Sequence, residues 1–227
     1  MPRRTRPATT QRSEHWLRVA VDEHSAKLNP LIADLFDWGN EDRIEWLSPI
    51  ASDEYAEYFD EEFLTRLGLK HLKVPLREFW PRSGPRWDGL AKTKSGKLIL
   101  IEAKAHIGEA VTFHSKAKSD TLEQIDRALS ATKKGFRASE AAPWGSPFYQ
   151  YANRLAHLYF LRQLNAIDAY LVFLYFSDAP DVPKPPPSEA EWKGAIELTE
   201  KCLGLGEHPF QKYVGSLIWS VPEMLSK

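Results

Sequence analysis

From Lys97 to Ala103 the chain is almost wholly branched and apolar, and the run ends in Glu102-Ala103-Lys104. Just upstream, Trp87 to Thr93 is a shorter run that carries an acid at Asp88. The longer run reads as a buried strand and the shorter one as its partner. Lys94-Ser95-Gly96 between them fits a three-residue hairpin loop, whose last position favours a left-handed residue, usually glycine. Thr93 then faces Lys97, and counting back sets Asp88 opposite Glu102. Directly opposed residues share a face, with Cβ atoms about 4.5–5.5 Å apart. Alternation brings Lys104 to that face and turns Ala103 away. A two-residue loop would shift the register by one and set Asp88 opposite Ala103 instead.

The remaining pattern is mostly helical before this hairpin and mixed after it. Ser13 is placed to cap a helix from Glu14 to about Lys27, with Trp16, Val19, Ala20 and Glu23 around one side and Asn29-Pro30 as the interruption. Leu31 to Leu47 reads as a second, acidic and Trp-rich helical region. Ser52 would cap a third helix to about Leu67, with Tyr55, Phe59, Phe63 and Leu67 as its apolar stripe, Glu57 and Glu61 on another, and Gly68 as its stop. His71 to Trp80 is predicted as a first strand, held to an edge or a bulge by Pro75. Pro81 to Pro85 is the turn that follows.

After the hairpin, Asp120 with Glu123 resembles a capping box for a helix to about Gly135. Pro147 to Gln163 reads as a helix with a core face of Phe148, Tyr151, Ala152, Leu155, Leu158 and Tyr159. Gln150, Asn153, Arg154 and His157 form its polar stripe, His157 being expected as a packed surface histidine. Within Asp168 to Phe176 the run Ala-Tyr-Leu-Val-Phe-Leu-Tyr-Phe is apolar and predicts a central strand covered on both faces. Ser188 with Glu191 is a capping box for a helix to Leu203, ended by Gly204, and Gly215 to Val221 is a short last strand. The order predicts an α/β fold with a mixed central sheet of about five strands flanked by helices. Three parts are expected: a disordered basic tail over 1–12, a helical extension over 13–50 and the main domain over 51–227.

Composition narrows the function. With 227 residues, 43% of them hydrophobic, and eight tryptophans, the chain can bury a sizeable core. A net charge of −1 gives no global signature for nucleic acid, so binding would need a local patch. Lys116, Lys118, Arg127, Lys133, Lys134 and Arg137, flanking the Asp120 helix, are the candidate phosphate-tracking surface; a solvated charged face is the alternative. Cys202 is the one cysteine and falls in step with Trp192, Ile196 and Thr199, as a core thiol would. That fits a reducing compartment. With no membrane-spanning run and no visible leader, a soluble cytoplasmic protein is expected. The chain has no glycine-rich phosphate loop, zinc-type cysteine pair, Gly-x-Ser-x-Gly elbow or His-x-x-x-His.

The hairpin carries the chemistry. Two facing carboxylates repel, and burying them unpaired is costly. A hard divalent cation removes that cost, and magnesium suits oxygen ligands such as Asp88, Glu102 and the Ala103 carbonyl. Lys104 could orient a water or steady negative charge on a phosphate. The bland alternative is a solvated sheet face with an Asp and a Lys–Glu pair.

At Asp88, Glu102 and Lys104 the chain resembles the PD-(D/E)xK nuclease superfamily, with Trp87 standing where that pattern often has proline. It is also similar to an uncharacterised bacterial protein group with Trp-Asp, Glu-Ala-Lys-Ala-His and Tyr-Gln-Tyr-Ala-Asn-Arg segments. The resemblance implies a restriction-endonuclease-like αβββαβ core and Mg2+- or Mn2+-dependent cleavage of nucleic acid, DNA foremost. It implies a further acid from a preceding helix, Glu57 in preference to Glu61, and a polar helix residue near the site. Gln150, Asn153 and Arg154, with Lys116 and Lys118, would bind substrate. Monomer and homodimer both stay open. The rival expectations are the same fold kept as a weakly active or inactive nucleic-acid- or protein-binding module, and a structural partner protein.

Overall fold

The computed structural model describes residues 3–4, 11–39, 42–112 and 119–226. Its elements in chain order are β1 (Arg3–Arg4), α1 (Ser13–Asp22), α2 (Ser25–Asp34), β2 (Ile44–Ser48), β3 (Glu57–Tyr58), α3 (Asp60–Arg66), α4 (Leu76–Phe79), β4 (Gly89–Thr93), β5 (Leu98–Lys104), α5 (Ser119–Phe136), α6 (Tyr149–Tyr159), β6 (Ala169–Ser177), α7 (Glu189–Cys202), β7 (Val214–Ser220) and α8 (Val221–Leu225). Five strands make one mixed sheet in the order β2-β4-β5-β6-β7. β2, β4 and β5 are antiparallel; β5, β6 and β7 are parallel.

Strand alternation divides the interior into two layers. Leu98, Leu100, Phe173 and Tyr175 face α5, α6 and α7, while Ile99, Ile101, Ala103, Val172 and Leu174 face α1, α2 and α8. β6 lies between two parallel neighbours and is buried at all nine positions. This is what an uninterrupted apolar run requires, since neither face meets water. Truncating a core leucine such as Leu100 to alanine should cost about 2–5 kcal/mol. On the first face, Gly135 lets α5 approach α6, because a Cβ there would collide with the Tyr159 ring.

The β4–β5 turn has the expected form. Gly96 adopts φ +93°, and the Thr93 N–H donates to the Lys97 carbonyl at 2.8 Å. Asp42 clamps the turn from outside, accepting the Ser95 N–H at 2.8 Å and the Ser95 hydroxyl at 2.7 Å and pairing with the Lys97 ammonium. Burial works against its charge, but these hydrogen bonds hold the carboxyl well below the usual range. Ser188 and Glu191 form the expected capping box of α7, and Gly204 follows its end at φ +64°.

Several elements differ from expectation. The first helix ends at Asp22, and Pro30 sits inside α2 rather than breaking it. Ser13 makes no cap; its hydroxyl donates to Glu109 at 3.0 Å. The region read as helix over 31–47 holds strand β2, because β4 supplies an edge for Ile44 to Ser48 to pair with. Residues 13–50 are therefore built into the same sheet and core rather than appended to them. Of the third predicted helix only Asp60–Arg66 is α-helical, after a short 3-10 turn at Ala51–Asp53, and Glu57 lies in β3. The predicted strand at 71–80 is instead α4 and the turns around it, with Pro75 just ahead of the helix. Arg3 and Arg4, read as part of a disordered tail, pair with Tyr58 and Glu57. Among the described residues no helix is long and apolar enough to cross a membrane.

Candidate functional site

The site forms where β4 parts from β5. Their ladder runs in a register that pairs Gly89 with Ile101. Hydrogen-bonded pairs alternate along such a ladder, so the next would join Trp87 to Ala103. That pair does not form. The Trp87 N–H donates to the Tyr58 carbonyl at 3.1 Å, drawing the chain towards β3. The Asp88 side chain fills the gap, its Oδ2 accepting the Ala103 N–H at 2.9 Å. The ladder stops at Gly89 and Ile101; one more residue of its register would set Asp88 opposite Glu102, and alternation along β5 puts Lys104 on the Glu102 face.

Glu102 is only 1% exposed, so its charge has to be balanced inside the protein. Its Oε1 accepts from the Lys104 ammonium and, at 2.6 Å, from Gln150 Nε2. Its Oε2 takes Arg154 Nε at 2.6 Å and Nη2 at 2.5 Å. Arg154 is in turn held by the Asn153 carboxamide oxygen and the Arg86 carbonyl, each at 2.8 Å, and its guanidinium lies over the Trp87 ring. Gln150 is fixed through its own N–H, which donates to Thr112 Oγ1 at 2.8 Å. The helix stripe and the hairpin acid thus form one network.

His157, a turn further along α6, is fully buried among Phe63, Trp80 and Trp87. The expectation of a surface histidine is corrected. Its Nδ1 donates to the Asn153 carbonyl at 2.8 Å, and burial pushes its pKa down to about 3.

A cleft of about 620 Å3 opens over this network. Asp88, Lys104, Glu57, Gln150, Asn153 and Arg154 line it. Glu57, buried in β3, therefore reaches the cleft that the sequence would have had it reach from a helix. Glu61 does not line it, but pairs with Arg77 on α4. Arg154 is 3% exposed and engaged with Glu102, so an open arginine waiting for a phosphate is not what the structure holds. Of the basic flank, Lys133 is engaged with the Glu140 and Ala142 carbonyls, while Lys116 and Lys118 lie outside the described residues.

Sequence reasoning missed Glu14, Arg86, Glu109 and Tyr149, which also line the cleft. Glu109 accepts from Ser13 and from the Ala105 N–H, tying the start of α1 to the end of β5. No spacing rule reports such a contact. Only Tyr149, one residue before Gln150 on the stripe-bearing helix, carried a usable signal.

The donors at the end of β5 are all oxygens. The Asp88 carboxylate meets the strand edge where the Ala103 N–H and carbonyl emerge, a hard set of the kind magnesium accepts. Glu102 can join it only if Lys104 or Gln150 releases Oε1. Among the described residues no three His, Cys, Asp or Glu side chains gather closely enough to form a metal cluster. The oxygens open to a hard cation here are thus those of Asp88 and the Ala103 carbonyl, with both Glu102 oxygens held by Lys104, Gln150 and Arg154.

The fold is that of a mixed α/β protein with a five-stranded sheet between helices. Comparison with protein-family models, curated proteins and solved structures finds nothing that matches this chain.

Proposed function

We propose that this protein is a magnesium- or manganese-dependent phosphodiester hydrolase acting on nucleic acid, DNA foremost, on a restriction-endonuclease-like core. One observation carries the reading: Asp88 caps the Ala103 N–H between Glu102 and Lys104 on β5, and Asp88 and Lys104 line an open cleft. The order of antiparallel β2, β4 and β5, then helices, then parallel β6 supports the core.

Asp88, Glu102 and the Ala103 carbonyl would hold the metal, which when bound supplies Lewis-acid stabilisation of a phosphate oxygen. Lys104 would orient the attacking water and offset developing negative charge. Gln150 and Arg154 would keep the Glu102 carboxylate in place, and Asn153 would keep Arg154 in place. Glu57 would lend a further acid at the cleft wall.

A second reading has its own support. Glu102 is already balanced by Lys104 and Arg154, an arrangement that is satisfied without a metal ion. On that reading the cleft binds nucleic acid or protein with little or no turnover. Cleavage assays on single- and double-stranded DNA and RNA with Mg2+ or Mn2+ separate the two. Metal-dependent cleavage that vanishes in Asp88→Asn supports the hydrolase. Binding without cleavage across the whole panel supports the second reading.

A further inference from the structure

Beyond the cleft lies a second pocket of about 350 Å3. The two hollows share Pro85, Tyr149 and Asn153, so they abut across a common wall. Trp80, Arg82 and Thr121 line only the far one.

The wall is fixed relative to the site. Tyr149 stands one turn before Asn153 on α6, and both line the two hollows. The Asn153 carboxamide oxygen holds Arg154 at 2.8 Å, and Arg154 holds Glu102. The loop on the other side is pinned as well, since Asp60 accepts the Ser83 N–H at 3.1 Å and the Gly84 N–H at 3.0 Å. Asp60 is itself paired with Arg77 at 3.0 Å. A pocket braced in this way is preformed.

Its lining mixes flat or rigid apolar surface (Trp80, Pro85, Tyr149) with hydrogen-bonding groups (Thr121, Asn153) and has the exposed Arg82 at its rim. That combination suits a flat heteroaromatic group edged with donors and acceptors. The volume falls at the lower end of small-ligand sites, roughly 300–1,000 Å3. It has room for one nucleoside and none for a stacked duplex.

We propose that this pocket takes one nucleoside of the substrate strand, next to the phosphate held over Asp88 and Lys104, with its base against Tyr149. The proposal rests on the phosphodiesterase reading and narrows it: the substrate class is a single strand, or a strand whose base has left the stack. Base–aromatic stacking tolerates any sequence, because every base has a π-face.

The test uses two substrates of the full chain. Bis(4-nitrophenyl) phosphate has no nucleoside and reads the phosphodiesterase site alone; a single-stranded DNA oligonucleotide reads both hollows. Thr121→Trp fills the far pocket without touching the cleft. It should lower kcat/KM on the oligonucleotide about tenfold or more, mainly through KM, and leave the small diester within about twofold. Tyr149→Ala should weaken binding of a fluorescein-labelled single strand, read by anisotropy without turnover, about tenfold or more, while Tyr149→Phe retains it. The proposal is overturned if Thr121→Trp slows both substrates alike or neither, or if Tyr149→Ala binds the strand as wild type does. Failure of wild type to hydrolyse either substrate sinks the phosphodiesterase reading instead, and the anisotropy arm still decides the pocket.

Discussion

The Asp88 side chain supplies the acceptor that the Ala103 N–H would otherwise find in the Trp87 carbonyl, taking the amide at 2.9 Å. The opening of the cleft and the placing of the acid are therefore one event. β4 leaves β5 because Trp87 bonds to Tyr58, and the carboxylate steps into the vacated position.

Asp88→Asn keeps an acceptor for the Ala103 N–H but loses the charge. Stability should change by less than about 1 kcal/mol. Magnesium-dependent cleavage should disappear, because a neutral amide is a poor ligand. Thermal melts and cleavage assays on the same preparation measure both, and an active, folded variant would move the activity elsewhere.

Arg154→Ala should be strongly destabilising, contrary to what a surface stripe would imply. It leaves Glu102 buried with one cation, and breaking a buried pair costs about 3–5 kcal/mol. Adding Glu102→Gln should cost less than the two single losses combined, because the stranded charge is gone. Chemical denaturation of the four proteins gives the coupling directly. Additive losses would mean the pair is not coupled.

Lys104 and an incoming cation compete for the same carboxylate oxygen. Lys104→Ala should therefore leave magnesium affinity equal or tighter, as read by calorimetry. The chemical step should slow by about 10²–10³, typical for removal of one charge-stabilising donor. A variant that loses metal binding but keeps its rate at saturating magnesium contradicts the assigned role.

His157 has a folded pKa of about 3 against an ordinary 6.5, chiefly through burial, with Arg154 and Arg77 also disfavouring the cation and Asp60 favouring it. Its neutral form is the stable one, so its contribution is complete above about pH 6.5 and is lost as pH falls towards 3. At 1.36 kcal/mol per pH unit the loss is on the order of 4 kcal/mol across that window. Urea unfolding at pH 7 and pH 4.5 should show a steeper acid loss in wild type than in His157→Gln. Equal slopes would mean the imidazole does not titrate with unfolding.

What could be read from the chain was what depends on neighbours in sequence. The β4–β5 register followed from alternation and from Gly96 in a short turn. β6 followed from an unbroken apolar run, and α7 from the Ser188–Glu191 pair. What could not be read depends on distant partners. Ile44 to Ser48 is a strand because β4 offers it an edge, and Glu57 is extended because Arg4 pairs with it. At the candidate site, the nearness of Asp88 to Glu102 and Lys104 was legible because one hairpin carries all three. The tie from Arg154 to Glu102 crosses 52 positions, and the polar stripe was visible without showing that it turns inward.

The Glu102 carboxylate fastens helix α6 to the sheet directly beneath the cleft-lining Gln150, Arg154 and Lys104. Drift at this position cannot proceed one residue at a time. A lineage that abandons the acid strands a buried arginine, and one that abandons the arginine strands a buried acid. Descendants of this chain should therefore keep or exchange positions 102, 150 and 154 as a set, whatever the cleft above them does.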